Sequence, residues 1–314
     1  MKKLLCLLSA LFALSGCSAP QTHDDGKIHI LCTIFPQYDW VREITKGAEN
    51  TDVTLLIDNG TDMHSFQPSA DDIIKLSSAD AVVYVGGTSD KWIKNTLDKT
   101  PEVTAVNMLD ILGNSVLDEE HVDGMEEETH LGHDEEADEH VWLSLRNAEK
   151  ICSSLADTIS DIDPQNSELY HQNAKEYISE LQQLDEQYSN IISSSKRKTL
   201  VFADRFPFRY LTEDYGLTYY AAFPGCSAES EASFETITFL AGKLDSEQLP
   251  AVMIIDGGNA AVAETVINNS NDKNRKILTL DSLQSVKMQD IETAGLTYLS
   301  AMRKNLAAIA ETLN

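Results

Sequence analysis

Residues 164–194 constrain the fold more than any other segment, because they contain no glycine and no proline after Pro164. Pro164 suits the first turn of a helix, where its missing N–H costs nothing. Apolar residues recur at steps of three and four, as on one face of a helix: Tyr170, Ala174, Tyr177, Leu181, Leu184, Tyr188 and Ile191. The segment predicts one rigid helix of about 45 Å at 1.5 Å per residue. A helical hairpin broken near Asp185 is the alternative, but no turn residue supports it.

Short apolar segments alternate with helical patterns on both sides of this helix. Strands are predicted at 28–35, 51–57 and 81–85 before it, and at 199–203, 217–223, 252–256 and 276–280 after it. Helices are predicted from Tyr38 to Gly47 and at 70–77, 208–215, 233–244, 260–268 and 291–312. Such alternation is typical of parallel sheets covered by helices. We expect an α/β fold of two lobes, each a mostly parallel sheet covered by helices. The helix at 164–194 would join an N-terminal lobe (28–163) to a C-terminal lobe (195–314).

The N-terminus has the pattern of a secretory signal, with Lys2 and Lys3, an apolar stretch at 4–14 and small residues before Cys17. The apolar stretch is shorter than the about 20 residues that span a bilayer. Small residues leading into a cysteine resemble the bacterial lipobox, which implies lipidation at Cys17 and stable anchoring by its acyl chains. We expect a lipoprotein signal peptide at 1–16, a lipidated flexible tether at 17–27, and a location at the cell surface or the periplasmic face of the membrane. An ordinary secreted protein with an incidental cysteine is the alternative.

Three cysteines remain after the signal and the lipidated residue are set aside. Cys32, Cys152 and Cys226 are scattered and form no C-x-x-C motif, so the sequence predicts neither a disulfide framework nor a structural zinc knuckle. Cys32 lies in an apolar strand-like segment and Cys152 on an apolar helical face, which predicts two small core residues. Cys226 lies in a loop, and its role stays open.

An acidic segment at 118–140 carries 12 carboxylates and 4 histidines among its 23 residues, with no lysine or arginine. Imidazole nitrogens and carboxylate oxygens bind divalent ions such as zinc, and the segment is too charged to fold by itself. We expect 118–139 to form an acidic loop in which His121, His130 and His133 collect metal with low affinity. His140 abuts the apolar run at 141–143 and can be held rigidly. The alternative is a solvated acidic loop that happens to contain histidine.

A second histidine motif lies between a predicted strand and a predicted helix, at 60–69. Ligands of open α/β sheets bind beyond the carboxyl ends of the strands, which is where this segment presents His64. Pro68 fixes the backbone and Phe66 can pack under the loop. His64 is therefore a candidate metal ligand, with a polar surface residue as the alternative.

The two motifs together resemble one protein family. G-x-D-x-H-S-F-x-P-S at 60–69 and H-V-W-L at 140–143 resemble the zinc- and manganese-binding solute-binding lipoproteins of bacterial metal ABC transporters, a group that includes proteins once described as adhesins. The resemblance covers essentially the whole mature chain and implies two lobes linked by a long helix, with the acidic His-rich loop typical of zinc members. By this resemblance His64 and His140 are ligands from the first lobe, and Asp281, after the last predicted strand, is the third. The residues alone fit Asp281 equally well as a helix N-cap.

The fourth ligand departs from the family pattern. The family has His or Glu three residues before a Phe-x-Tyr, and here that position holds Arg205, which has no lone pair for a metal. Asp204 is the tentative ligand, and a salt bridge from it to Arg205 or Arg209 is an equal alternative. The remaining options are Glu229, Glu231, the thiolate of Cys226, or water, with Arg205 pairing with a ligand carboxylate or with Glu231.

The resemblance implies a receptor that captures zinc between two lobes and delivers it to an ABC permease for import. Its partners would be the permease and ATPase subunits and, through the lipid anchor, the membrane, and we expect a monomer. A net charge of −27 argues against a nucleic-acid partner. Zn²⁺ is the expected metal and Mn²⁺ its alternative, since two histidines with carboxylates suit both.

We weigh three other functions: a manganese receptor of the same family, a surface adhesin, and a secreted zinc-dependent hydrolase with a His/His/Asp site. The chain has no H-E-x-x-H, no G-x-S-x-G and no glycine-rich phosphate loop, so we expect no enzyme and no catalytic residue.

Overall fold

The computed structural model describes residues 25–126, 136–227 and 231–314, and its strands form two four-stranded parallel sheets. The first sheet contains β1 (Ile28–Cys32), β2 (Thr51–Leu55), β3 (Ala81–Tyr84) and β4 (Thr104–Asn107), in the order β2-β1-β3-β4. The second contains β5 (Thr199–Phe206), β6 (Thr218–Pro224), β7 (Ala251–Ile255) and β8 (Lys276–Leu280), in the order β6-β5-β7-β8. The two sheets share one topology, and every strand pairing is parallel. The predicted two-lobe α/β fold is confirmed.

Helices surround both sheets. The first lobe has α1 (Phe35–Ile44), α2 (Ala70–Ser78), α3 (Lys91–Leu97), α4 (Met108–Leu112) and α5 (Leu145–Ile162). The linking helix is α6 (Ser167–Ser194), and the second lobe has α7 (Arg209–Tyr215), α8 (Phe234–Ser246), α9 (Ala260–Asn269), α10 (Met288–Glu292) and α11 (Tyr298–Leu313). Short 3₁₀ turns occupy Met63–Ser65, Gly113–Ser115, Val141–Leu143 and Pro164–Asn166. None of the described helices is both long and apolar enough to cross a membrane.

The long linking helix forms where the sequence predicts it, with Pro164 in the 3₁₀ turn that precedes it. Its apolar face is buried as expected, except that Ile192 is buried where Ile191 was predicted to be. Helix α6 packs against α5 and α1 of the first lobe and against α11 of the second. The Tyr188 hydroxyl donates a hydrogen bond to the Met302 carbonyl at 2.6 Å, which ties the helix to the second lobe.

Two predicted elements differ from the structure. The strand predicted at 28–35 ends at Cys32, because Phe35 and Pro36 open α1 instead. The helix predicted at 291–312 is two helices, separated by a turn in which Gly295 has a φ of +67° and Thr297 caps α11. Helices α3 and α4 and strand β4 were not predicted, and α5 was indicated only by the apolar helical face that carries Cys152.

The two lobes share one apolar core, which contains Trp142, Leu280 and Tyr298. Trp142 Nε1 donates to the Ser282 carbonyl at 2.9 Å, and the Tyr298 hydroxyl donates to the Trp142 carbonyl at 2.6 Å. Tyr298 N donates to Asp39 Oδ2 at 2.9 Å. Since buried polar groups are costly to leave unpaired, these bonds resist separation of the lobes.

Candidate metal centre

His64 lies at the carboxyl edge of the first sheet, in the 3₁₀ turn Met63–Ser65. Asp62 starts this turn and accepts a hydrogen bond from His64 N at 3.0 Å, while Met63 anchors the turn in the core. His64 Nδ1 lies 2.8 Å from Ser89 Oγ and hydrogen-bonds with it. One ring nitrogen is thereby occupied, so Nε2 is the nitrogen left for a metal.

His140 is fully buried at the start of the 3₁₀ turn Val141–Leu143. Asp138 Oδ1 accepts hydrogen bonds from His140 N at 2.8 Å and from His140 Nδ1 at 2.9 Å. A carboxylate on Nδ1 keeps the proton there and leaves the lone pair on Nε2, as in metal-bound histidines. The Tyr210 hydroxyl donates to the Asp138 carbonyl at 2.8 Å, so the second lobe also holds this turn.

The two imidazoles converge on one point. His64 Nε2 and His140 Nε2 lie 3.1 Å apart. Two nitrogens bound to one tetrahedral zinc at 2.0–2.1 Å are about 3.3 Å apart, so the pair is already spaced for one ion. Burial, reinforced by the neighbouring His140, lowers the pKa of His64 to about 3. His64 is therefore neutral and able to bind a metal near neutral pH.

Cys226 completes a group of three side chains that could hold a metal ion. Its Sγ, His64 Nε2 or Nδ1 and a His140 ring nitrogen all lie within 4.8 Å of one another. Within the ranges that the structure describes, no other three His, Cys, Asp or Glu side chains form such a group. A Cβ on Gly225 would lie 3.0 Å from His140 Cε1 and 2.9 Å from the Phe206 carbonyl. Only glycine therefore lets the turn that carries Cys226 approach His140 this closely.

Most of the chain matches a known family. The model of the periplasmic zinc-uptake complex component A, ZnuA, matches residues 30–312. This chain belongs to the ZnuA family. It is 33% identical over 321 residues to the zinc-binding lipoprotein AdcA of Streptococcus pneumoniae, covering 99% of this chain and 61% of AdcA. It is 29% identical over 311 residues to the high-affinity zinc uptake system protein ZnuA of Bacillus subtilis, covering 96% of this chain and 94% of that protein.

A solved structure has the same fold. The Zn(II)-bound ZnuA-like domain of Streptococcus pneumoniae AdcA superposes with a TM-score of 0.71 at 28% identity, covering 92% of this chain and 99% of that domain. The chain thus spans about three fifths of the full AdcA relatives that it matches, and nearly all of their ZnuA-like domain.

The structure does not bring the two predicted carboxylate ligands into the three-ligand group. Asp281 follows β8 as predicted, but its Oδ1 accepts from Leu283 N at 2.9 Å, and burial, with Asp256 nearby, raises its pKa to about 6. No helix begins at Asp281, so the helix N-cap alternative does not apply either. Asp204 accepts from Arg205 N at 2.8 Å and from Ile255 N at 3.2 Å. Both carboxylates bond to backbone amides.

Arg205, at the position where this chain departs from the family motif, forms its ion pair with Asp62 and not with the predicted partners, which were Asp204, a ligand carboxylate and Glu231. Its Nη2 lies 2.9 Å from Asp62 Oδ2, and its Nη1 donates to the Ser227 carbonyl at 3.5 Å. Together Asp62 and Arg205 line a cavity of about 340 Å³ beside the histidines, which Asp204 and Phe223 also border. Glu231, which was predicted as a partner of Arg205, is exposed to solvent.

His121, the loop histidine that the structure describes, is separate from this site. His121 is exposed and its Nε2 hydrogen-bonds with the Glu126 carbonyl at 3.1 Å. His130, His133, Glu229, Cys17 and the predicted signal peptide lie outside the described residues. Sequence reasoning gave no role to Asp138 and Ser89, which fix the two imidazoles. The Asp-Glu-His sequence before Val141 could have indicated the role of Asp138, because it places a carboxylate two residues before His140.

Proposed function

We propose that this ZnuA-family chain is an extracytoplasmic zinc receptor that binds one ion between its lobes and delivers it to an ABC permease. The convergence of His64 Nε2 and His140 Nε2 at 3.1 Å carries the proposal, because two imidazole nitrogens aimed at one point suit a borderline metal ion. The family supports this function over the manganese receptor, the adhesin and the hydrolase.

Zinc fits these two ligands better than manganese. Imidazole nitrogen suits zinc, whereas manganese prefers carboxylate, carbonyl and water oxygens. Asp281 and Asp204, the two predicted carboxylate ligands, are already bonded to backbone amides. The relative that is named as a zinc-uptake protein and the zinc-bound AdcA domain agree with this choice.

Binding and release of an ion by a receptor also fit the way in which the lobes are joined. The shared core and the Trp142–Ser282 and Tyr298–Trp142 hydrogen bonds favour small movements over wide opening. In this proposal the ion is released by local motion of the loops at the sheet edges. The chain acts as a binding protein rather than an enzyme, as a monomer held to the membrane by lipid on Cys17, with permease and ATPase subunits as its partners.

The acidic loop would act as a separate collector. His121 lies outside the three-ligand group, and with His130 and His133 it would bind zinc weakly in a carboxylate-rich segment. Such binding raises the local zinc concentration without adding a ligand to the main site.

Calorimetric zinc titration of the chain from residue 18 onward tests the proposal. We expect one tight site that is lost in a His64→Ala/His140→Ala variant. A His121→Ala/His130→Ala/His133→Ala variant is the matched control and should lose only weak, additional binding. Tight binding that survives in the His64/His140 variant would overturn the proposal. For transport, the wild-type gene should restore growth in chelated medium to a bacterium that lacks its own zinc receptor, and the His64/His140 variant should not.

A further inference from the structure

We propose that the thiolate of Cys226 is the third protein ligand of the metal, so that this site is a His₂Cys centre for thiophilic divalent ions. This inference rests on the proposed function and names the ligand that replaces the predicted carboxylates. Thiolates bind zinc and cadmium far better than manganese, so the ligand also sets the class of metal.

The distances allow direct ligation. Cys226 Sγ lies within 4.8 Å of the ligand nitrogens of His64 and His140. A tetrahedral zinc with a 2.3 Å bond to sulfur and 2.0–2.1 Å bonds to nitrogen holds S and N about 3.6 Å apart. The thiol therefore has to approach by about an ångström, which is within the reach of a side chain on a turn.

The backbone around Cys226 is arranged for this approach. Gly225 removes the Cβ that would contact His140, and Ser227 N donates to the Pro224 carbonyl at 3.3 Å to close the turn. Cys226 N donates to Glu119 Oε1 at 3.2 Å, so the acidic segment holds the turn from the other lobe. The thiol is thus delivered from the second lobe to a histidine pair of the first.

Arg205 cannot supply a ligand from the end of β5. Its guanidinium has no lone pair for a metal and is engaged by Asp62 at 2.9 Å. Among the residues that the structure describes, Cys226 in the β6 turn is the second-lobe side chain that forms a three-membered group with both histidines. A bound thiolate would bring the site of one Zn²⁺ and two neutral imidazoles to a net charge of +1, and binding would release the thiol proton.

The other two described cysteines do not compete for the metal. Cys32 and Cys152 are fully buried in the apolar core, and burial raises the pKa of both thiols. Cys226 is partly exposed. Three protein ligands leave a fourth position on a tetrahedral ion, where water or a receiving ligand can bind during transfer.

Cobalt substitution tests the ligand directly. We would use the full chain in detergent with Cys6→Ser and Cys17→Ser as background, so that only Cys32, Cys152 and Cys226 remain. One equivalent of Co²⁺ should produce a near-ultraviolet thiolate-to-cobalt charge-transfer band. The band should vanish in Cys226→Ser and persist in the matched control Cys152→Ala. A band that persists in Cys226→Ser overturns the inference, as does a folded, cobalt-loaded background protein with no band.

Metal affinities separate this inference from the proposed function. In Cys226→Ser, zinc and cadmium affinity should fall by about tenfold or more, while manganese affinity changes little. Unchanged zinc and cadmium affinity would overturn ligation by Cys226 and leave the receptor proposal intact. Unchanged zinc affinity in His64→Ala/His140→Ala would instead overturn the receptor proposal itself.

Zinc should also protect Cys226 of the wild-type protein from alkylation, which mass spectrometry measures. Alkylation of Cys226 at the same rate with saturating zinc as without it would contradict ligation.

Discussion

Arg205 and Asp62 form an ion pair that joins the two lobes beside the histidines, with 2.9 Å between Nη2 and Oδ2. Arg205 belongs to β5 of the second lobe, and Asp62 starts the turn that presents His64 in the first. Burial acts to raise the pKa of Asp62, but Arg205 and the His64 N–H outweigh it and hold that pKa below its ordinary value. The Asp62 carboxylate therefore positions His64, the proposed ligand of the first lobe, and holds the second lobe against it.

This ion pair should contribute measurably to stability in the metal-free protein. A double-mutant cycle with Arg205→Met and Asp62→Asn should give a coupling energy of about 1–2 kcal/mol, because both side chains are largely buried. The exposed pair Lys94–Asp98, at 2.9 Å, is the matched control and should give less than about 0.5 kcal/mol. Urea unfolding measures both cycles, and equal coupling in the two pairs would contradict a special role for the bridge.

Asp138→Asn should weaken zinc binding by about tenfold, since the amide still accepts from His140 but no longer raises the basicity of its ring. Competition with a chromophoric zinc chelator measures the change. Asp123→Asn, at an exposed position of the same acidic segment, should leave affinity unchanged. If the two variants bind zinc equally well, Asp138 does not tune the His140 ligand.

Gly225→Ala should lower both zinc affinity and stability. The added Cβ would lie 2.9 Å from the Phe206 carbonyl and 3.0 Å from His140 Cε1, and relieving such crowding costs about 1–3 kcal/mol. Gly242→Ala is the control, because nothing lies within 4 Å of that Cβ in α8. Alanine favours a helix over glycine by about 0.5–1 kcal/mol, so this control should be slightly stabilised. Thermal melts of the two variants should therefore shift in opposite directions, and zinc titration should show a loss of affinity in Gly225→Ala alone; parallel changes in the two variants would refute the steric argument.

Local signals predicted the fold well where they were strong. Strand β8 has the predicted bounds, Ser69 caps α2 with Asp72 in a reciprocal capping box, and the linking helix follows its apolar period. Helix α3 and strand β4 are short and carry no comparable pattern, and Gly295 interrupts a helical period that otherwise continues. Such weak local preferences are decided by packing in the folded chain.

The candidate site could be predicted only in part from the sequence, for a related reason. His64 and His140 lie in motifs with their own local anchors, Asp62 and Asp138. The proposed second-lobe ligand depends instead on how far each loop reaches past the end of its strand. Asp281 and Cys226 both follow strands, but only the β6 turn has a glycine that allows contact with His140. This difference between the two loops is visible in the three-dimensional structure, and the spacing of residues along the sequence does not reveal it.

Asp39 should make the stability of the protein depend on pH. Burial raises its pKa to about 6, although Tyr298 N donates to its carboxylate. The folded state therefore holds this proton more tightly than the unfolded chain, whose pKa is about 3.9. The resulting stabilisation is fully present below about pH 4 and is lost as the pH rises through about 6. The free energy of unfolding that is lost over this range is about 2–3 kcal/mol.

Asp39→Asn keeps an oxygen that can accept from Tyr298 N but cannot ionise, so its unfolding free energy should decline less between about pH 4 and pH 7 than that of the wild type. Asp98→Asn, at an exposed surface position, should follow the wild type. Urea titrations of the metal-free proteins measure the three slopes, and an Asp39→Asn slope equal to the wild-type slope would show that Asp39 is not the titrating group.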